Sequence, residues 1–441
     1  MANTITAVPR DHFINDLAGV TQNGSPAWLG ALREKGKQSF VATEFPHTKM
    51  EEWRQTNIST VVKTPFRSLT ASTDHGLSAD SVAAYFYAPD TWTELVFVDG
   101  FFDAALSKQN TLPKGVVAGG LNAAIHDSHP AVEKHLNQHV GDRNAYTALN
   151  AAFLQDGAFV YVPKKVVVET PIHLVFVSST AAKDAAAHIR NLIVLEESAQ
   201  ANIVVSYRNA ASNATYLNNV VDEVVVGANA NLHWYKLVEE GAGGNHLNTL
   251  AVAQSRDSRF RGFSFSLEGA VIRNQICLAL EGPGAECSLE GLYLNDGERL
   301  IDNALTITHK APNCQSRIGY KGILDDKSKS VFTGFVHVHQ EAQQTDSDQL
   351  SQNLLLSDHA TIDTKPQLEI YADDVKCTHG ATVGSPPEEV IFYFRSRGID
   401  EKTARGMLTY AFADDVAGEV EIDEVSKRLD RWVYEKYSPK F

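Results

Sequence analysis

Between about Ala158 and Val383, apolar and polar positions alternate along the chain, and small turn residues separate the alternating runs. Phe159-Val160-Tyr161-Val162, Asn202-Ile203-Val204-Val205, Leu232-His233-Trp234-Tyr235 and Phe335-Val336-His337-Val338-His339 are examples. A period of two puts successive side chains on opposite faces of an extended strand, so the pattern predicts strands with one face in a core. No helix-length amphipathic segment interrupts the stretch, which argues against a sheet built from alternating strands and helices.

Similar phrases open at Ala199, Ala228, Asp257, Ala285, Cys314 and Ala342, in steps of 28 or 29 residues. A repeat within the ~20–50-residue range predicts a solenoid or propeller. With a few short strands per repeat and no helices, a β-helix is the expected solution, each coil adding strands to stacked parallel sheets. A propeller blade needs ~40–45 residues and fits less well; a β-sandwich is the ordinary alternative.

The ends read as helical. Ser25 is placed to cap a helix with Pro26 in its first position and Leu29, Leu32 and Phe40 along it, after Gly24. Phe45 to Arg54 reads as a turn leading into a short element, Leu95 to Val98 as a strand, and His126 to Phe153 as helical. At the other end Ser385, Pro386 and Glu388 have the capping-box pattern, Val390, Ile391 and Phe394 form a stripe, and Gly398 closes the helix. Asp400 caps a second helix carrying Ala404, Met407, Leu408, Ala411 and Phe412. A third spans about Asp423 to Tyr437, with Val425, Leu429, Trp432 and Val433 on one side. Three such helices would close a solenoid end or offer a docking surface, the first being the expectation. The chain thus divides into a mixed helical region (1–150), a mainly β core (151–384) and a helical segment (385–441).

Composition narrows the function. The 441 residues carry a formal net charge of −15, against the concentrated basic surface that nucleic-acid binding requires. No run of ~18 apolar residues exists, so no membrane span is expected. The first residues lack the basic and apolar regions of a secretory signal, and four cysteines in so long a chain do not make a disulfide framework. A reducing cytoplasmic compartment is the expectation.

There is no GxxxxGK[ST] phosphate loop, no HExxH and no GxSxG elbow, and the glycines from Gly241 to Gly244 lack the context of a dinucleotide site. Two constellations could hold a metal. Cys377 and His379 stand two apart on a strand and so share a face; thiolate with imidazole suits iron, zinc or copper(I), but two ligands are half a site. The others must come from distant coils or a partner chain. His337 and His339 share a face in the same way, as a ligand pair or as two exposed polar positions. Cys277, Cys287 and Cys314 read as buried small hydrophobes. A β-helix enzyme acting on acidic polysaccharide is a rival reading; it would need clustered carboxylates, whereas Asp325-Asp326 and Glu196-Glu197 read as turn residues.

Several phrases resemble the SufB/SufD family of scaffold proteins of the SUF iron–sulfur system. They are SRIGYKGIL from Ser316, VFTG from Val331, NLLLSDHA from Asn353, KPQLEI from Lys365, DDVKCTHGATVG from Asp373 to Gly384, and Phe392 to Ile399. Lys49 to Arg54 and Asp156-Gly157 extend the likeness, with Gln55 a departure where the family more often has an aromatic residue. CTHG resembles the SufD branch; SufB typically reads HEA there. The resemblance implies a right-handed parallel β-helix with helical ends and a non-catalytic scaffold subunit. It also implies pairing with a SufB-like scaffold and docking of a SufC-like ABC ATPase, with a purely structural partner as the alternative. Docking falls to the C-terminal helices, with Glu388, Phe392, Tyr393, Phe394, Arg397, Gly398, Ala404, Leu408 and Phe412 as candidates. Cys377 and His379 would hold nascent iron or an iron–sulfur cluster transiently at the SufB–SufD interface. Nothing would be bound tightly to the isolated chain, and a homodimer of that chain is left open.

Overall fold

The computed structural model describes residues 11–20, 25–70, 75–141, 143–211 and 213–437. Successive strands of the middle region enter two ten-stranded sheets in turn, so that each sheet takes every second strand. One sheet runs through Ala185–Leu195, Tyr216–Val226, Gly244–Gln254, Val271–Leu280, Leu300–His309, Lys329–Val338 and Thr361–Ile370. The other runs through Gln200–Asn209, Asn231–Glu239, Arg259–Glu268, Glu286–Asn295, Gln315–Leu324, Asp346–Leu355 and Lys376–Gly384. All these strands pair in parallel, giving a β-solenoid of about 8 turns.

The alternation seen in the sequence becomes columns in space. In the second sheet Ala201, Leu232, Phe260, Cys287, Ser316, Ser347 and Cys377 lie in register, one coil above the next. The first four belong to the buried core cluster and Cys377 packs against it, so this column faces inward. Coils measured from Gln200 through Asn231, Arg259, Glu286, Gln315 and Asp346 to Lys376 are 27 to 31 residues long. The expected register of 28 or 29 therefore drifts: Ala199, Ala285 and Cys314 are equivalent positions, while Ala228, Asp257 and Ala342 are not. Strand pairing constrains the strands and leaves the corner turns free to gain or lose a residue. Those corners hold left-handed residues, among them Ser198, Asn229, Asp257, Asn313 and Gln344. Short polar side chains tolerate that conformation by bonding to nearby backbone.

The two ends of the solenoid differ. At the N-terminal end the second sheet finishes in a hairpin, Thr93–Val98 with Phe101–Lys108, which pair antiparallel. Asp99 and Gly100, both at positive φ, form its two-residue turn. The first sheet finishes in Val117–Gly120, antiparallel to Ala158–Val162. At the C-terminal end, Thr361–Ile370 and Lys376–Gly384 are the last strands of their sheets, each with one edge unpaired among the described residues.

Both outer faces are covered along part of their length, short of the last coils. The helix Ala27–Ala42 lies on Ala145–Ala152 so closely that a Cβ on Gly36 would meet the Ala152 nitrogen at 2.7 Å. Its first helical residue is Ala27 and Pro26 is the cap, without a side-chain capping bond, so the expected Ser25 cap is corrected by one position; Gly24 lies outside the described residues. Arg190, wholly buried in the first sheet, bonds Glu223 at 2.7 Å, Asn137 at 2.7 Å and Asn150 at 3.2 Å, tying Ala145–Ala152 and the loop before it to the solenoid. Farther along, the Arg273 guanidinium lies 3.8 Å from the Trp53 ring, and Lys365 reaches Glu51 at 2.8 Å.

The C-terminal helices are Glu388–Ser396, Glu401–Ala417 and Asp423–Tyr437. The expectation that they close a solenoid end is not met. Ala413, Val416, Val425, Leu429 and Val433 pack with Tyr235, Phe263, Leu292 and Ile323, outward residues of the second sheet. The helices lie along the flank, because those coils offer an apolar outer face and the last coil does not. The first helix also starts later than expected: Pro387 is its N-cap and Ser385 makes no capping bond. A proline disfavours helical geometry in the residue before it, so Pro386 cannot open a helix ahead of Pro387. Gly398, at φ +86°, ends that helix, with Ile399 N bonding Phe394 O and Gly398 N bonding Arg395 O, and Asp400 caps the next helix by accepting from Thr403 N. No described helix is long and apolar enough to cross a membrane.

Candidate functional site

Cys377 and His379 lie on Lys376–Gly384, the terminal strand of the second sheet. Cys377 stands over Ser347, and His379 over Gln349, which continues the inward column of Leu289 and Ile318. Both side chains therefore take inward positions at the open mouth of the solenoid, where no further coil covers them. Cys377 is half-buried and His379 exposed.

Beneath Cys377 and His379 the floor of this mouth is polar and uncharged, while the facing sheet contributes apolar Val336 and Val338. Ser347 Oγ accepts from Ser316 Oγ at 2.8 Å, and Ser316 lies 2.9 Å from His309 Nε2. Burial pushes His309 down to about 4, so its imidazole is neutral at physiological pH. Gln349 Oε1 is buried and has no hydrogen-bond partner among the described residues. Burial raises the Cys377 thiol, and the nearby Asp346 carboxylate adds to this against a backbone hydrogen bond from Ser347. A thiol so placed is mostly protonated until a cation displaces the proton.

Cys277, Cys287 and Cys314 are buried free thiols, as expected of small core residues. Among the described residues, no group of three or more His, Cys, Asp and Glu side chains is placed to hold a metal ion. Distant coils therefore do not complete the Cys377–His379 pair. The glycines from Gly241 to Gly244 turn the chain between two strands of one coil.

Around the mouth lie features that alternation alone did not single out. Ile370, Tyr371 and Val383 on or beside the last strands are exposed, Tyr371 by 61%. The available signal was apolar residues persisting in the final repeat with no repeat after it. Two long unpaired strand edges beside such residues form a template for another chain.

The remaining candidates spread over the C-terminal helices. Phe392 and Tyr393 project from the first helix, 72% and 57% exposed, with Arg397 over the Tyr393 ring. Glu388 is held by Arg405 of the second helix at 2.8 Å. Phe394 and Leu408 are half-buried, and Gly398 forms the turn. Ala404 is wholly buried within the chain and takes no part in the exposed surface. Phe412 lies beneath Lys321 Nζ, 4.5 Å from its ring centre, and Lys321 also pairs with Asp415. The second helix is thereby fastened to Gln315–Leu324, two strands before the terminal strand.

Comparison with known proteins identifies the family of this chain. The family model for the SufBD core domain of SUF-system FeS cluster assembly matches residues 176–412, and that for the SufBD protein N-terminal region matches residues 11–174. An iron–sulfur cluster assembly SufBD family protein of Synechocystis is 31% identical over 93% of this chain and 89% of its own. The iron–sulfur cluster assembly protein SufD of Escherichia coli is 30% identical over 86% of each chain, and that of Bacillus subtilis 28% over 92% and 93%. The chain belongs to the SufBD family of iron–sulfur cluster assembly proteins of the SUF system.

Proposed function

We propose that this chain is the SufD-type half of a two-scaffold assembly, in which its open solenoid end pairs with a SufB-like partner and the nascent cluster forms at the junction. The observation that carries this reading is the mouth itself. It presents a thiol and an imidazole, Cys377 and His379, between two unpaired strand edges, with no further ligands within the described chain. Iron accepts mixed thiolate and imidazole donors, so ligands from a facing chain would complete the set. Iron and sulfide are the cargo; the scaffold contributes position and performs no catalysis of its own. A cytoplasmic location belongs to the same reading.

A SufC-like ABC ATPase would dock on the exposed C-terminal surface around Phe392, Tyr393 and Arg397. Closure of two ATPase subunits on ATP would pull on the first helix. The Arg405–Glu388 and Lys321–Asp415 contacts connect that helix, through the second, to a coil close to the mouth. Such a linkage supports an ATP-driven opening of the junction. The same open end would let the isolated chain pair with a second copy.

The test is to purify the tagged chain from its host, identify stoichiometric partners by mass spectrometry, and assay cluster formation with Cys377→Ser and His379→Ala. Recovery of a SufB-like scaffold and an ABC ATPase, with assembly lost in both variants, is the expected result. Undiminished assembly in both variants would leave a structural partner without ligands, and a solitary chain would end the two-scaffold reading.

A further inference from the structure

His337 lies near the end of Lys329–Val338, on the outer face of the first sheet and one strand in from its open edge; His339 stands one residue past that strand, not within it as the alternation predicted, with the two ring centres 4.8 Å apart. The register sets Glu369 of the terminal strand directly beside His337, and a Glu369 carboxylate oxygen lies 3.6 Å from His337 Nδ1. Tyr371, two residues on, has its ring 5.5 Å from that of His337 and is 61% exposed. Two imidazoles, a carboxylate and a phenol thus occupy four neighbouring outward positions beside the mouth. His337 is 28% exposed at its side chain, so the pair is reachable from solvent without being fully mobile.

We infer that His337 and His339 form a binding site for a divalent transition-metal ion, with the Glu369 carboxylate supplying negative charge beside it. The chain leaves the strand between the two histidines yet keeps their rings side by side, and rings 4.8 Å apart need only rotate for both to present a nitrogen to one ion. The Glu369 carboxylate, 3.6 Å from His337 Nδ1, stands beyond hydrogen-bond reach and lends its negative charge to a cation held between the rings. Imidazole donors select iron(II), cobalt(II), nickel(II), copper(II) or zinc over magnesium and calcium. Two protein ligands leave several coordination positions for water, so the ion is held loosely and exchanges. That suits an ion received and passed on. Calling the ion iron rests on the scaffold reading above; binding itself does not.

The experiment uses the full-length chain, freed of metal with chelator and titrated with cobalt(II), with heat and visible absorbance as readouts. The panel is the unaltered chain, H337A/H339A, E369Q and C377S/H379A. The expected result is one cobalt(II) per chain, at least tenfold weaker binding in H337A/H339A, a several-fold loss in E369Q, and full retention in C377S/H379A. Thermal denaturation of the same samples shows that each variant is folded. Equal binding by the unaltered chain and H337A/H339A would overturn the site, as would the absence of any binding below millimolar cobalt(II). Loss only in C377S/H379A would place the ion at the mouth and also overturn it. Failure of the two-scaffold reading would show instead as missing partners on purification, with cobalt(II) binding at His337 and His339 intact.

Discussion

Replacing Glu290 by Gln should remove a pH dependence from the docking of the C-terminal helices. Glu290 lies on the outer face of the second sheet beside Gly319, where a Cβ would stand 2.2 Å from its carboxylate oxygen. Burial lifts this carboxyl from 4.5 to about 7 and Glu419 adds to the lift, while Ser288 and Arg261 act against it. The loop between the second and third C-terminal helices brings Glu419 and Glu421 onto Arg261, with His233 beside Glu421 at 3.4 Å. Because the folded carboxyl holds its proton more tightly than the unfolded one, its contribution is fully present below about 4.5. It is lost as pH rises and is gone above about 7. At about 1.4 kcal/mol per pH step the interval amounts to about 3 kcal/mol, and partial exposure reduces this to roughly 2 kcal/mol. Glutamine keeps the shape and the bond to Ser288 but cannot ionise. Amide hydrogen exchange over Glu401–Ala417 is the assay, because this element reports local opening of the docked helices. At pH 8 the variant should be protected roughly 30-fold more than the unaltered chain, and by about pH 4 the two should agree. The histidines lowered by burial are common to both proteins and cancel in the difference. Parallel protection curves from pH 5 to 8 would show that Glu290 is not held protonated by its surroundings.

Arg190→Met strands the Glu223 carboxylate in the interior and should cost about 3–5 kcal/mol, read as a fall in thermal midpoint. Gly157→Ala should abolish soluble expression, since φ is +145° and a Cβ there would lie 2.1 Å from the Arg190 carbonyl oxygen. By contrast Gly297→Ala, at φ +62° with open space around it, should cost about 1 kcal/mol in chemical denaturation. Ile370→Lys with Val383→Lys should change stability by no more than about 0.5 kcal/mol, because both sites are exposed on the last coil. The same pair of charges should abolish co-elution with a SufB-like scaffold in size-exclusion chromatography; undiminished co-elution would place the interface elsewhere.

Local pattern settled much of this protein. Alternation with period two fixes which residues of a strand share a face, so Cys377 and His379 were bound to be presented together. The termination of the first C-terminal helix at Gly398 and the cap at Asp400 depend on residues within one turn and are legible without any fold. So is the stripe of Val425, Leu429 and Val433, which is buried as the helical period requires. Where neighbours in sequence compete, local reading was less exact, as at Ser385-Pro386-Pro387, where one proline rule overrides another.

Tertiary structure decided the rest. A residue's face can be read from its strand, but which face is inside depends on the sheet opposite, and coil register depends on corner turns whose lengths vary between 27 and 31 residues per coil. The C-terminal helices cover the flank because Leu237, Phe265 and Leu292, far away in sequence, stack outward in successive coils and form an apolar surface there. The open mouth follows from the same stacking: a terminal coil has no successor to pair its edges, and no local pattern records which coil is last. Contacts such as Glu369 beside His337 arise only when strands ~30 residues apart lie ~4.8 Å apart in a sheet. Residue types and faces were therefore in the sequence, and their meeting places were in the fold.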